Sequence, residues 1–152
     1  MSTQNSCQVK IKKLTSEAQT PHYAHFGDSG ADLFSTEDLS LAPLERRAVG
    51  TGLSAQVPPG YELQVRPKSG LALKSGLTVL NTPGTIDYGY RGEIKVILIN
   101  LSNETYRIEK GQKIAQLVVA PVAYAVFEEV AELSQSARGE GGFGSTGLNK
   151  ER

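Results

Sequence analysis

Apolar residues in this chain alternate over short runs, and a 3.6-residue period is almost absent. "QVKIKKL" sets Val9, Ile11 and Lys13 against Lys10 and Lys12. "YELQV" places Tyr61, Leu63 and Val65 on one face and Glu62 and Gln64 on the other. "EIKVILIN" begins by alternating and becomes a continuous apolar run, which predicts a central strand covered on both sides. "KIAQLVVAP" and "YAVFEEV" are enriched in β-branched and aromatic residues and predict two more strands. Pro58-Pro59-Gly60, Asn81-Thr82-Pro83-Gly84 and Lys110-Gly111 punctuate these runs as turns. One short helix is expected, around Ser69 to Lys74. Many short strands and almost no helix predict an all-β fold, an antiparallel β-sandwich or distorted jelly roll.

A chain of 152 residues suits one domain and can bury a core without a disulfide or metal staple. Cys7 is the only cysteine and lies in a polar segment without an apolar leader. Both features predict a reducing, cytoplasmic setting. No apolar run approaches 18 residues, so no membrane span is expected. Lys plus Arg and Asp plus Glu number 16 each. That balance argues against a general binder of nucleic acid or anionic membranes, and it leaves room for a local anion site.

The sequence closes on "ARGEGGFGSTG", Ala137 to Gly147. Gly139 to Gly144 match G-x-G-x-x-G, but no strand–helix crossover follows, so a dinucleotide fingerprint is not expected. Glycine raises the entropy cost of ordering, and a disordered tail is the plain reading. The other reading is an arm that orders over a ligand, with Arg138 gripping an anion and Phe143 stacking on a flat ring. The expected division is a β domain over 1–136 and a glycine-rich arm over 137–152.

Five stretches put glycine beside polar or charged residues: "SGADLFS", "RPKSGLAL", "NTPGTIDYGYRGEI", "KGQKIAQL" and the tail. Together, in order and in spacing, they resemble the five motifs of the trimeric dUTPase family over nearly the whole chain. The resemblance implies a jelly-roll homotrimer with shared active sites that hydrolyses dUTP to dUMP and pyrophosphate with Mg²⁺. Relatives of other function on the same scaffold are dCTP deaminases and non-catalytic nucleotide sensors. Asp87, the Tyr90 context and the long Arg–Phe tail speak against a deaminase; the signature of a sensor would be loss of the aspartate, the tyrosine or the tail arginine, and none is lost.

Lys68, Ser69 and Gly70 open the expected helix, where outward N–H groups favour a phosphate. An N-cap at Ser69 is the ordinary alternative. The family usually has arginine where Lys68 stands; lysine keeps the charge and loses the bidentate fork. "NTPGTIDYGYRGEI" looks like a β-hairpin loop. By resemblance, Asn81 and main-chain groups through Thr85, Ile86 and Asp87 read the uracil edge. Asp87 matches the catalytic aspartate, which accepts a proton from the attacking water; alone it would pass for an Asx-turn residue. Tyr90 matches the tyrosine that packs on the deoxyribose and rejects UTP, and alone it would pass for a half-buried aromatic. Arg91 would support the loop or a subunit contact, and Lys95 matches a substrate-lining position.

Asp32 resembles the aspartate that holds a water in the magnesium shell, since Mg²⁺ keeps waters and takes phosphate oxygens. A rival metal site would be His22-x-x-His25 with Asp28, though such a pair before a loop is usually surface. Gln116 would donate to a phosphate oxygen. Arg138 would reach the γ-phosphate and Phe143 would stack over uracil.

Overall fold

A computed structural model of the chain describes residues 6–143 and 145. The ends of the expected arm, Gly144 and 146–152, lie outside the described residues. Eleven strands and one helix are present among them. They are β1 (Lys10–Lys13), β2 (Gly30–Phe34), β3 (Leu39–Leu41), β4 (Arg46–Gly50), β5 (Leu53–Gln56) and β6 (Tyr61–Arg66). After α1 (Ser69–Ser75) come β7 (Leu77–Val79), β8 (Gly84–Ile86), β9 (Lys95–Asn100), β10 (Tyr106–Ile108) and β11 (Lys113–Pro121). All pairings are antiparallel.

The sheet that matters most runs β2-β11-β6-β8, and a three-stranded sheet runs β4-β9-β7. The pairs β1-β5 and β10-β3 complete the all-β sandwich. Alternation sorts each strand as the sequence implies. Leu63 and Val65 of β6 face inward with Leu117 of β11 and Ile86 of β8. Leu33, Val49, Leu53, Val96, Leu98, Ile108 and Ile114 close one continuous core. Among the described residues no helix is long and apolar enough to cross a membrane.

Three expectations are corrected. β9 is central, between β4 and β7, but its apolar run is not covered on both sides: burial alternates and Ile97 is 36% exposed. "YAVFEEV" forms no strand. The chain leaves the body at Val122, whose N–H donates to the Gly60 carbonyl, and Tyr124, Val126 and Phe127 then project outward. A strand needs a neighbour to satisfy its backbone, and among the described residues none is paired to this segment. The third correction concerns "NTPGTIDYGYRGEI". Here β8 pairs with β6 while β9 pairs with β4 and β7, so the loop bridges two sheets instead of closing a hairpin.

Candidate active site

The expected residues gather in two places, with a third set on the arm. The first is built on β2, β11 and the start of α1. In β2, period-two alternation sends Ala31 and Leu33 to the core and turns Asp32 to the other face. There it pairs across the ladder with Gln116, which pairs in turn with Arg66. Gly30 leaves space for the Gln116 carboxamide: a Cβ at position 30 would overlap Gln116 Oε1 and sit 2.9 Å from its Cδ. Gln116 Nε2 donates to the Pro67 carbonyl at 2.9 Å, which ties β11 to the approach of the helix.

The extended residue before α1 is Lys68, which makes no side-chain cap. Ser69 is therefore the first helical residue, not the N-cap, and no side-chain hydrogen bond caps this end. Ser69 and Gly70 are exposed. Lys68 turns its ammonium to Asp32 Oδ1 at 2.5 Å. A second lysine, Lys113, lies 2.6 Å from Asp32 Oδ2, so both carboxylate oxygens face ammonium groups. Asp32 is 3% exposed. Burial by itself would raise its carboxyl, but Lys113 and Lys68 outweigh that and hold it below the ordinary carboxylate value.

Lys113 was not among the residues expected from sequence. The register shifts between Lys113 and Ala115, and this irregularity places Lys113 opposite Phe34, two residues from Asp32. The only sequence signal was its charge at the start of an apolar strand.

The donor set bears on a metal. Among the described residues no three His, Cys, Asp or Glu side chains converge. The rival set does not gather either: His22 stacks on Phe34 at 5.4 Å, and the His25 N–H donates to Asp28 Oδ2 within a local turn. A single buried carboxylate, Asp32, fits a magnesium ion held through water and substrate phosphates, and does not fit one caged by protein.

The second place is the loop after β8. Strand β8 is a sheet edge, so alternate N–H and C=O groups there have no strand partner. Ile86 buries its side chain in the core and Thr85 is exposed. Asn81 folds beside Gly84, where a Cβ would lie 3.3 Å from Asn81 Nδ2. Asp87 is exposed, and its carbonyl accepts the Tyr90 N–H at 3.0 Å, closing a turn. Arg91 Nη1 donates to the carbonyls of Tyr88 and Tyr90 at 2.8 and 2.9 Å. Lys95 begins β9, with its ammonium 3.6 Å from Glu93 Oε2.

These two places are not neighbours in one chain. Asp32 and Ile86 lie on opposite edge strands of the same four-stranded sheet. Three strand spacings separate them, about 14 Å, and the register offsets them by three residues, about 10 Å along the strands. Arg138 and Phe143 join neither. Arg138 Nε donates to the Gly141 carbonyl at 2.7 Å in a local turn, and Phe143 is fully exposed. A groove of about 900 Å³ runs past Tyr23, His25, Phe26, Tyr61 and Arg66, and another of about 640 Å³ passes Tyr88 and Arg91. Neither holds Asp32 or Asp87.

A family model described as dUTPase matches residues 16–147. The deoxyuridine 5'-triphosphate nucleotidohydrolase of Clostridium kluyveri is 55% identical over 140 residues, which cover 92% of this chain and 98% of the relative. That of Nautilia profundicola is 58% identical over 140 residues, covering 92% and 99%. Among solved structures, Staphylococcus bacteriophage 80alpha dUTPase with dUPNHPP superimposes with a TM-score of 0.88 at 31% identity, covering 94% of this chain and all of that one. A variant of the dUTPase from phage phi11 of S. aureus, described with a structural Mg(II) ion, gives a TM-score of 0.79 at 26% identity, covering 85% and 100%.

Proposed function

The chain belongs to the dUTPase family and is a dUTP diphosphatase, and from that premise we propose that Asp87 is its general base, in a site completed only between subunits of a homotrimer. Asp87 accepts a proton from a water molecule as the water oxygen attacks the α-phosphorus. The bond from the α-phosphorus to the α–β bridging oxygen breaks, pyrophosphate leaves, and dUMP remains. An exposed carboxylate held at the end of a closed turn has the freedom from ion pairing that a base requires.

The other residues bind and orient. Lys68, Ser69, Gly70 and Gln116 meet phosphate oxygens. Asn81 and the edge of β8 at Thr85, Ile86 and Asp87 read uracil. Tyr90 lies against the deoxyribose, and Lys95 lines the site. Arg138 reaches the γ-phosphate and Phe143 covers the base, so 137–152 acts as an arm over a body of 1–136. Asp32 would hold Mg²⁺ through water; bound with the triphosphate, that ion neutralises phosphate charge. Lys68, released from Asp32, is then positioned for the substrate. Hydrolysis of dUTP in a cytoplasmic setting keeps uracil out of DNA and supplies dUMP for thymidylate synthesis.

The observation that carries the shared site is the distance between its halves. The Asp32 cluster and the Asp87 turn sit on opposite edges of one sheet. Among the described residues, the side chains of Val126, Phe127 and Leu133 beyond Pro121 stay almost wholly uncovered.

The test is pyrophosphate release from dUTP, UTP, dTTP and dCTP, with Mg²⁺ and with EDTA, for wild type and Asp87→Asn. Mg²⁺-dependent release from dUTP alone, lowered about 10³-fold by Asp87→Asn, is the expected result. An Asp87→Asn enzyme at the wild-type rate would overturn the assignment of the base. A monomer of full activity in sedimentation would overturn the shared site.

A further inference from the structure

Tyr90 is 46% exposed, yet its ring is fixed at both ends. The backbone end is held by the Tyr90 N–H to the Asp87 carbonyl. The phenol end donates to the Glu93 carbonyl at 3.0 Å. That contact folds the ring back over residue 92. A Cβ at Gly92 would overlap Tyr90 Oη, lie 2.6 Å from Cζ and 3.0 Å from Cε2. Gly92 is not in the left-handed region, so its backbone suits any residue and only the ring forbids a side chain there.

The acceptor is itself anchored. Glu93 Oε1 accepts the Gly52 N–H at 3.0 Å. Next to it, Ile94 is buried, donates its N–H to the Leu53 carbonyl at 2.7 Å and accepts the Thr51 hydroxyl at 2.6 Å. The ring position is thus referred, through Glu93, to the core.

We infer that Gly92 and the Glu93 carbonyl are positioning residues for substrate selection: they set the Tyr90 ring at the one distance that admits hydrogen and rejects hydroxyl at C2′ of the sugar. This rests on the role proposed above for Tyr90. Selection against one added hydroxyl is a steric matter of well under a bond length, and an aromatic ring hinged only at Cα would not hold such a tolerance.

Gly92→Ala displaces the far end of a side chain, not the backbone, so the fold should survive it. In that variant the ratio of kcat/KM for dUTP to that for UTP is expected to fall at least about tenfold. Tyr90→Phe, which removes only the hydroxyl, should lower the ratio less, and the double variant should add little to Gly92→Ala alone. An unchanged ratio in Gly92→Ala, with loss confined to Tm, overturns the inference. Should Gly92→Ala not fold, an unchanged ratio in Tyr90→Phe overturns it equally. A second readout needs no substrate: ¹⁹F NMR of the full chain labelled with 3-fluorotyrosine, the Tyr90 line assigned with Tyr90→Phe. A shifted and narrowed Tyr90 line in Gly92→Ala supports the pin, and an unmoved line sinks it. Failure of wild type to hydrolyse dUTP would instead count against the parent reading.

Discussion

The Asp87–Tyr90 turn and the segment beyond Pro121 are both exposed and both carry aromatic residues expected to touch the nucleotide. The turn is held on every side. Ile86 before it and Ile94 after it are buried, Tyr90 closes it through its N–H, and Arg91 clamps two of its carbonyls. Among the described residues, the segment's backbone is held to the body only at Val122. Its Val126 and Phe127 are 96% and 95% exposed, and among the described residues its side-chain hydrogen bonds are local. Burying either of those side chains would contribute about 1.5–3 kcal/mol, and the single chain collects none of it. The contrast teaches where ordering energy comes from. On the function proposed above, the turn's contacts to sugar and base would be prepaid by the fold, whereas the arm would draw its order from neighbouring subunits and from the ligand.

Removing the arm should expose this difference most strongly. Deletion of 137–152 is expected to lower kcat/KM for dUTP by about 10²–10³-fold while Tm and oligomeric state stay as they were. Extending the deletion back to Val122 should also disperse the oligomer in sedimentation. Full activity in the shorter truncation would make the arm irrelevant.

The Asp32 cluster resembles the turn in being built beforehand, and it is the better buried of the two. Asp32→Asn leaves Lys68 and Lys113 facing each other uncompensated, and should cost about 2 kcal/mol in denaturant melts at pH 7. The sign with pH follows from a folded carboxyl held below its unfolded value of about 3.9. Its contribution is complete above that value and is lost as pH falls through the folded one. The gap between wild type and Asp32→Asn should therefore close in acid; a gap that widened there would refute the ion-pair account.

Arg91→Ala removes two hydrogen bonds from the turn. About 1 kcal/mol of stability and about tenfold in KM for dUTP should go with them. If neither moves, the turn is no better built than the arm. At the small end, Lys110 and Glu17 pair at 2.9 Å on the open surface, raising the lysine and lowering the carboxyl. Lys110→Ala should leave Tm unresolved from wild type, because an exposed pair is screened and entropically costly.

Much of this was legible in the sequence. Alternation located β1 and β6, β-branched enrichment located β11, and the turn residues separated them. The run "RPKSGLAL" marked the one helix to within a residue. Alternation did not reveal that the outer face of β9 stays open at Ile97, because an apolar run reads the same whether its cover is the same chain or another. For the same reason "YAVFEEV" read as a strand: its residues favour extension, but no strand among the described residues pairs with it. The bulge that delivers Lys113 to Asp32 leaves no mark in residue type.

By itself, the sequence determined the all-β class, the places of β1, β6, β9 and β11 and a set of candidate site residues, because these follow from local periodicity, side-chain type and motif. Tertiary structure alone decided which of those residues meet. Lys68 and Asp32 are 36 positions apart and are brought together by strand order and register. Asp87, with equally suggestive chemistry, was carried to the far edge of the same sheet. Strand pairing is a contest among distant segments for the same backbone partners, and no short stretch of sequence contains its outcome.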